Sequence, residues 1–205
     1  MKRIVSYLTI AVLAASAGAA VYKFVLQRHP QPQVVAAEPA AGIPLVLPDF
    51  SLQDRDGNLR SIHSWPGKSL IVNFWATWCG PCRKEIPLLM QTNRSREAEG
   101  FQLVGVAVDF RDDVLRYATQ MHIDYPLLIG EQEGLNAVNA FGVQAVGFPF
   151  TVFTDNQDRV VTLHLGELTA GQLDVILKTV LRVNRGELTP IQARTIIAAG
   201  LAKVG

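Results

Sequence analysis

The chain carries the stretch Val72-Asn73-Phe74-Trp75-Ala76-Thr77-Trp78-Cys79-Gly80-Pro81-Cys82-Arg83-Lys84-Glu85-Ile86-Pro87. Its first part is a short apolar run, which is typical of a central strand covered on both faces. From Cys79 a helix is predicted to begin and to run toward residue 99, with a kink at Pro87. The two cysteines therefore lie where a buried strand passes into a helix.

These are the only 2 cysteines of the chain, and their spacing is that of a redox dithiol. Cysteines at i and i+3 in the first turn of a helix approach closely enough to form a disulfide. Cys79 lies where backbone N–H groups lack partners and the helix dipole is positive, so the attacking thiolate is favoured there. Cys82 lies one turn inward, which suits it to resolving a mixed disulfide. Pro81 loses no helical hydrogen bond so early in the helix.

Two other interpretations of the pair have less support. A structural disulfide across so short a loop would gain little chain entropy. A zinc site needs four ligands, whereas the chain has no second cysteine pair and its 4 histidines are scattered: His29, His63, His122 and His164. We therefore expect redox chemistry at Cys79 and Cys82, with no metal and no other cofactor.

The pattern around this stretch alternates strands and helices. Asp56-Gly57, flanked by apolar residues, predicts a β-hairpin. Further strands are predicted at 101–108, 125–129, 150–154 and 160–165, and helices at 112–122, 134–141 and 169–183. This order predicts an α/β fold with a sheet of mixed direction, in a domain that covers residues 49–185.

The N-terminal part has a different composition. Residues 4–22 are uncharged, and a helix of this length would nearly span the roughly 30 Å hydrocarbon core of a bilayer. We predict that residues 1–27 form an uncleaved membrane anchor; the alternative is a signal peptide cleaved at its small residues. Either would place the domain outside the cytoplasm. Residues 28–48 are rich in proline and predict an extended linker.

Residues 186–205 are predicted to form an appended helix and tail. Thr189 and Pro190 have the residue types of an N-cap and a first helical position, which places the helix at 190–201. Ile191, Arg194, Ile197 and Leu201 are spaced three and four apart, but Arg194 interrupts this stripe, so only partial burial of the helix is expected. The net charge is +1 without a basic stripe, so no nucleic-acid partner is expected.

On the quoted stretch, and on Gly147-Phe148-Pro149 ahead of Thr151-Val152-Phe153, the chain resembles the thioredoxin superfamily, specifically its membrane-anchored TlpA/ResA/CcmG branch. The resemblance implies a thioredoxin fold, a mixed central sheet flanked by helices, with an N-terminal β-hairpin and a βα insertion. It also implies that Pro149 is a cis-proline facing the dithiol. Substrate is then expected to contact Trp78, Gly80, Pro81, Phe148 and Pro149.

The resemblance also implies a proton-handling role for Glu85. Asn73 stands where cytoplasmic thioredoxins carry a buried aspartate that accepts the proton of the inner cysteine, and asparagine cannot accept it. Glu85 follows Cys82 by three residues, on the same helical face, where this branch often has a carboxylate. We expect Glu85 to take the proton of Cys82 near neutral pH. The alternative is an exposed acid paired with Arg83 or Lys84.

The function predicted from these features is an extracytoplasmic thiol–disulfide oxidoreductase. Gly80-Pro81 is the dipeptide of reducing thioredoxins and favours a reductant of cysteine pairs in exported proteins, as in cytochrome c or copper-oxidase assembly, fed by a membrane thiol-electron donor. A disulfide-forming oxidase would be expected to carry another dipeptide, often with histidine. A peroxidase on this fold needs a threonine three residues before its cysteine, whereas Thr77 precedes Cys79 by two.

Overall fold

A computed structural model of the protein describes residues 43–142 and 147–204. Within these ranges a 7-stranded sheet has the order β2-β1-β5-β4-β3-β6-β7. β3, β4 and β5 run parallel, and all other neighbours are antiparallel. The strands are β1 Ser51–Gln53, β2 Leu59–Ser61, β3 Ser69–Trp75, β4 Phe101–Ala107, β5 Leu127–Ile129, β6 Phe150–Thr154 and β7 Val160–Leu165.

Helices cover both faces of this sheet. They are α1 Gly80–Arg96, which passes into a 3₁₀ turn at Glu97–Glu99, then α2 Arg111–Gln120, α3 Gln132–Ala140, α4 Ala170–Asn184 and α5 Pro190–Leu201. The apolar residues of α1, α2, α4 and α5 join one hydrophobic core, while α3 and the β1–β2 hairpin join another. Two packed cores with a sheet between them are the layered arrangement expected of an α/β domain.

The buried strand β3 lies between the two cores and determines which of its side chains point toward α1, the helix that carries both cysteines. Its side chains alternate between the faces, so Ile71 and Trp75 belong to the α1 side whereas Val72 and Phe74 belong to the α3 side. By the same alternation Asn73 points toward α1. One polar side chain is thereby placed in the core directly behind the helix that carries both cysteines.

The predicted fold class is confirmed. The hairpin at Asp56-Gly57 forms, with Ser51 paired to Ser61, and Gly57 adopts the positive φ that the turn requires. β5 and α3 constitute the βα insertion, between α2 and the β6–β7 pair. The α4 helix begins with a capping box, in which Thr169 and Gln172 satisfy each other's backbone N–H groups.

The folded part begins before the predicted residue 49. Leu47 is buried, its N–H donates to the carbonyl of Asp158 at 2.8 Å, and the N–H of Val160 donates to the carbonyl of Leu45 at 3.0 Å. The segment pairs here because Val160 begins an edge strand with free backbone groups. The predicted linker 28–48 therefore ends earlier. Its first part and the predicted anchor, residues 1–27, lie outside the described residues.

Helix α5 occupies residues 190–201 as predicted, but its buried stripe differs from the expected one. Ala193 and Ile197 are buried, whereas Ile191 is 65% exposed. The helix is rotated because the Arg194 guanidinium faces the edge strand β7, where it donates to the carbonyls of Val160 and Val161 at 2.9 and 3.1 Å. No helix in the described ranges has the length and apolar character needed to cross a membrane.

Candidate functional site

Cys79 and Cys82 are joined in a disulfide at the start of α1. Cys79 is the N-cap residue, with an extended backbone, and its Sγ accepts a hydrogen bond from the N–H of Cys82 at 3.2 Å. Cys79 is 4% exposed and Cys82 is fully buried. Only the first sulfur is open to a partner, and even that opening is narrow. This geometry allows a nucleophile–resolver pair in the predicted order.

The loop before Cys79 is held to the end of β4. The backbone N–H and the hydroxyl of Thr77 both donate to Oδ2 of Asp109, the former at 3.0 Å. The other carboxylate oxygen of Asp109 accepts from the N–H of Phe110 at 2.8 Å. A buried carboxylate thus fixes the approach to the disulfide from a neighbouring strand. Sequence reasoning missed Asp109, although a polar residue directly after a buried strand was a visible signal.

Several of the predicted substrate-contacting residues meet beside the disulfide. Trp78 is 66% exposed, and its ring centroid lies 5.9 Å from that of Phe148. The Phe148–Pro149 peptide bond is cis, as the resemblance implied. Gly80 and Pro81 form the first turn of α1, and a Cβ at Gly80 would meet no atom within 4 Å. Trp75, in contrast, is a core residue.

A groove of about 680 Å³ opens next to this surface. Its apolar lining includes Trp78, Phe110 and Leu135, which are all exposed. Asp113 and Glu131 stand along it. An exposed apolar lining that includes Trp78, the residue directly before Cys79, is suited to holding a polypeptide segment of a partner protein.

Glu85 lies behind the disulfide and is 1% exposed. Its Oε1 accepts from Nδ2 of Asn73 at 2.8 Å, and its Oε2 accepts from the N–H of Leu168 at 2.9 Å. Desolvation by burial raises the pKa of Glu85 from 4.5 to about 7, and these two hydrogen bonds hold it from rising further. The carboxyl group can therefore gain or lose a proton at neutral pH.

The family model described as Redoxin matches residues 40–180. The chain belongs to the redoxin family. This redoxin is 30% identical over 133 residues to the thioredoxin-like protein YneN of Bacillus subtilis, covering 62% of this chain and 74% of that protein. It is 27% identical over 142 residues to the thiol-disulfide oxidoreductase ResA of Geobacillus thermodenitrificans, covering 69% and 79%.

Solved structures agree with these relatives. The redoxin superimposes on a thioredoxin-family thiol:disulfide interchange protein of Chlorobium tepidum with a TM-score of 0.60 and 34% identity, covering 69% of this chain and 99% of that one. The superposition on a putative thiol:disulfide interchange protein DsbE from the same organism has a TM-score of 0.61 and 26% identity, and it covers 68% of this chain and 96% of that one. The redoxin is therefore a TlpA/ResA/CcmG-like member of the thioredoxin superfamily and a thiol–disulfide oxidoreductase.

The geometry excludes one of the two interpretations of Glu85 that the sequence left open. The exposed acid paired with Arg83 or Lys84 is wrong, because Glu85 is buried and Arg83 instead reaches toward the carbonyl of Thr77. Position i+3 from Cys82 turns Glu85 to the inward face of α1. Its carboxylate accepts from the Asn73 side chain on β3 and from the Leu168 N–H in the turn before α4. Of these two partners, sequence reasoning had identified only Asn73.

The described part of the redoxin contains no cluster of side chains that could hold a metal ion. Among residues 43–142 and 147–204, no group of three or more histidine, cysteine, aspartate or glutamate side chains is arranged to hold an ion. The site contains the Cys79–Cys82 disulfide, the buried carboxyl groups of Glu85 and Asp109, and the groove beside Trp78. These parts can exchange disulfides and move a proton.

Proposed function

We propose that this redoxin is a reductant of disulfides in exported proteins. The observation that carries the proposal is the arrangement of Cys79 at the helix N-terminus, Cys82 one turn inward and the buried Glu85 behind them. A thiolate favoured at the first position can attack, and a carboxyl with a pKa of about 7 can deprotonate the second thiol at physiological pH.

The reaction follows from these positions. The Cys79 thiolate attacks one sulfur of a client disulfide, forming a mixed disulfide and releasing the other client sulfur, which takes a proton from solvent. Glu85 then accepts the proton of the Cys82 thiol. The resulting thiolate attacks Cys79 Sγ and expels the first client sulfur as a thiolate, so the Cys79–Cys82 disulfide forms. That client thiolate takes a proton from solvent and Glu85 releases its proton to solvent, which leaves the client as a dithiol. A donor dithiol must reduce that disulfide before the next cycle.

The surroundings of Cys79 favour reduction over oxidation. Its Sγ accepts a hydrogen bond from the N–H of Cys82, and the residues between the cysteines, Gly80-Pro81, bring no cationic side chain. Strongly oxidising centres stabilise the thiolate of the reduced form to a greater degree. A modestly stabilised thiolate gives the pair more tendency to return to the disulfide, and therefore to reduce its client.

The groove supports a polypeptide client. Its exposed apolar lining consists of Trp78, which directly precedes Cys79, together with Phe110 and Leu135. We propose that the chain flanking a client's cysteines lies along this lining while the sulfur exchange takes place. Clients in cytochrome c or copper-oxidase assembly have cysteine pairs that must be kept reduced, and they fit this role.

We place the activity outside the cytoplasm, with a membrane thiol carrier as the electron donor. The uncharged residues 4–22 support export. One structural relative is a secreted thiol-disulfide isomerase from Corynebacterium glutamicum, with a TM-score of 0.57 and 27% identity over 62% of this chain and 80% of that one. Fractionation of cells that produce the full chain tests this placement: recovery from membranes or periplasm supports it, and recovery from cytosol contradicts it.

A trapping experiment tests the exchange itself. The Cys82→Ser variant retains the nucleophile and loses the resolver, so it should accumulate a stable mixed disulfide with a disulfide-bonded peptide. The matched Cys79→Ser variant should trap far less, because Cys82 is buried. Mass spectrometry of the adducts gives the result. Equal trapping by the two variants would contradict the assigned order of attack.

A further inference from the structure

Three buried polar atoms stand out on the α1 face of the sheet. Within the described residues, the buried side-chain atoms without a hydrogen-bond partner are Asn73 Oδ1, Trp75 Nε1 and Tyr125 Oη. All three residues are essentially inaccessible to solvent. Because leaving a buried polar group unsatisfied costs about 1–3 kcal/mol, native proteins nearly always provide such groups with a protein or water partner.

The three residues surround Gly105 on one face of the sheet. Asn73 pairs directly with Gly105 across the parallel β3–β4 ladder. A Cβ at Gly105 would lie 2.8 Å from Cε2 of Tyr125, next to the carbon that bears the hydroxyl, and 3.1 Å from Nε1 of Trp75. The absence of a side chain at Gly105 lets the phenol ring and the indole N–H approach the same point beside Asn73, where Cδ2 of Leu127 lies 2.7 Å from the ideal Cβ position.

This place adjoins Glu85. The amide group of Asn73 donates to Oε1 of Glu85 through Nδ2, and the same amide holds the unpartnered Oδ1. Tyr125 is also close: after desolvation by burial, the charge of Glu85 is the next cause that raises the pKa of the Tyr125 phenol. The phenol therefore stays protonated, and its hydroxyl can both donate and accept a hydrogen bond.

We propose that ordered water binds between Asn73 Oδ1, Trp75 Nε1 and Tyr125 Oη, and that Tyr125 is a positioning residue that acts on Glu85 through this water. The hydrogen-bonding capacities match: Asn73 Oδ1 accepts, the indole N–H donates, and the hydroxyl does either. Buried water typically makes about three hydrogen bonds. The functional part of the proposal rests on the proposed role of Glu85 as proton acceptor for Cys82.

The consequence for Glu85 passes through the side-chain amide of Asn73, which the water contacts at Oδ1 and which donates to Glu85 through Nδ2. A water that donates to Asn73 Oδ1 polarises the amide and strengthens its hydrogen bond to Glu85, which stabilises the carboxylate and opposes the desolvation that raises its pKa. Other charged groups act on the same cluster. The charge of Glu167 raises the pKa of Glu85. Arg55 lowers the pKa of Tyr125, whereas Asp124 raises it. A Tyr125→Phe substitution leaves all of these in place and removes only the hydroxyl.

Two measurements test the proposal. A crystal structure of the unmodified protein at a resolution that defines ordered water should show density within about 2.7–3.2 Å of Tyr125 Oη and of at least one of the other two atoms. Infrared titration of the protonated carboxyl band, assigned by its loss in Glu85→Gln, should show a higher midpoint in Tyr125→Phe, by about half a pH unit, or roughly threefold in the proton-binding equilibrium.

Tyr117→Phe is the matched control. Its ring contacts Trp75, but its hydroxyl is not one of the buried unpartnered atoms, so the midpoint should stay at the wild-type value. Well-ordered density without water at this place, or an unchanged midpoint in Tyr125→Phe, would overturn the proposal. If instead the exchange rates of Glu85→Gln follow the wild-type pH profile, the proton role of Glu85 fails, while the crystallographic result still decides the water site.

Discussion

Burial of Glu85 makes the stability of the domain depend on pH. The pKa of the carboxyl is about 7 in the folded state against 4.5 for the free group. Between these pH values the folded state holds a proton that the unfolded state has lost, so the free energy of unfolding decreases as pH rises from 4.5 to about 7 and then levels off. The difference corresponds to about 3 kcal/mol.

The Glu85→Gln variant should lose this dependence. Its amide does not titrate, so the free energy of unfolding should no longer fall between pH 4.5 and 7, where the wild-type contribution changes. Chemical denaturation at a series of pH values measures the slope. Glu97→Gln is the control, because Glu97 is an exposed acid in the turn after α1 and should leave the wild-type slope intact. A full slope in Glu85→Gln would show that another group titrates.

At the residue scale, the sequence allowed prediction of the site residues that lie within one helix, but not of their contacts with residues distant in sequence. Cys79 and Cys82 follow from their spacing within one helix, and Glu85 follows from the family resemblance together with its place on the same helical face. The partners of Glu85 could not be read in the same way, since Leu168 lies 83 positions along the chain. Tyr125 carries no sequence signal of its role, because its hydroxyl becomes relevant only when β4 and β5 align beside Gly105.

At the scale of elements, α5 is held to the domain by contacts on one side. Ala193 and Ile197 are buried against the core shared with α4, and Arg194 satisfies carbonyls at the edge strand β7. The helix begins with a capping box formed by Thr189 and Gln192. A helix this short is marginal in water without such docking, so its stability depends on the packing.

Two isoleucine-to-alanine substitutions in α5 distinguish the contribution of packing to stability from that of helix propensity. Ile197→Ala should lower the free energy of unfolding by about 2–4 kcal/mol, because it leaves a cavity under the helix. Ile191→Ala changes an exposed side chain and should cost less than about 0.5 kcal/mol. Neither position touches the redox site, so both variants should reduce insulin at the wild-type rate. Equal stability losses would contradict the docked helix.

The boundaries of α5 were predictable, whereas its orientation was not. Thr189 and Pro190 identify the start of the helix by their own backbone chemistry. The buried face was assigned from apolar spacing, and Arg194 was treated as an interruption. The structure makes Arg194 part of the contact face, because unpaired carbonyls of an edge strand attract a guanidinium. A pattern of apolar residues alone cannot show that preference.

At the scale of the whole molecule, the fold could be predicted because its strands and helices alternate clearly and the cysteine motif is specific. The residue at which the domain starts could not be predicted. The proline-rich composition before residue 49 predicted a linker, but residues 45–47 pair with the chain at 158–160. Whether an apolar residue such as Leu47 enters the core depends on the free edge that the distant β7 offers.

The central claim is that Cys79 and Cys82 form a reducing centre, and their redox potential tests it most directly. Equilibration of the protein with glutathione buffers, followed by alkylation and mass spectrometry, measures the fraction of disulfide. Pro81→His is the control, since an imidazole beside Cys79 should stabilise the thiolate and raise the potential. We predict a wild-type value near that of thioredoxin, about −270 mV; a value near the −120 mV typical of a strong oxidase, roughly 150 mV higher, would contradict the account.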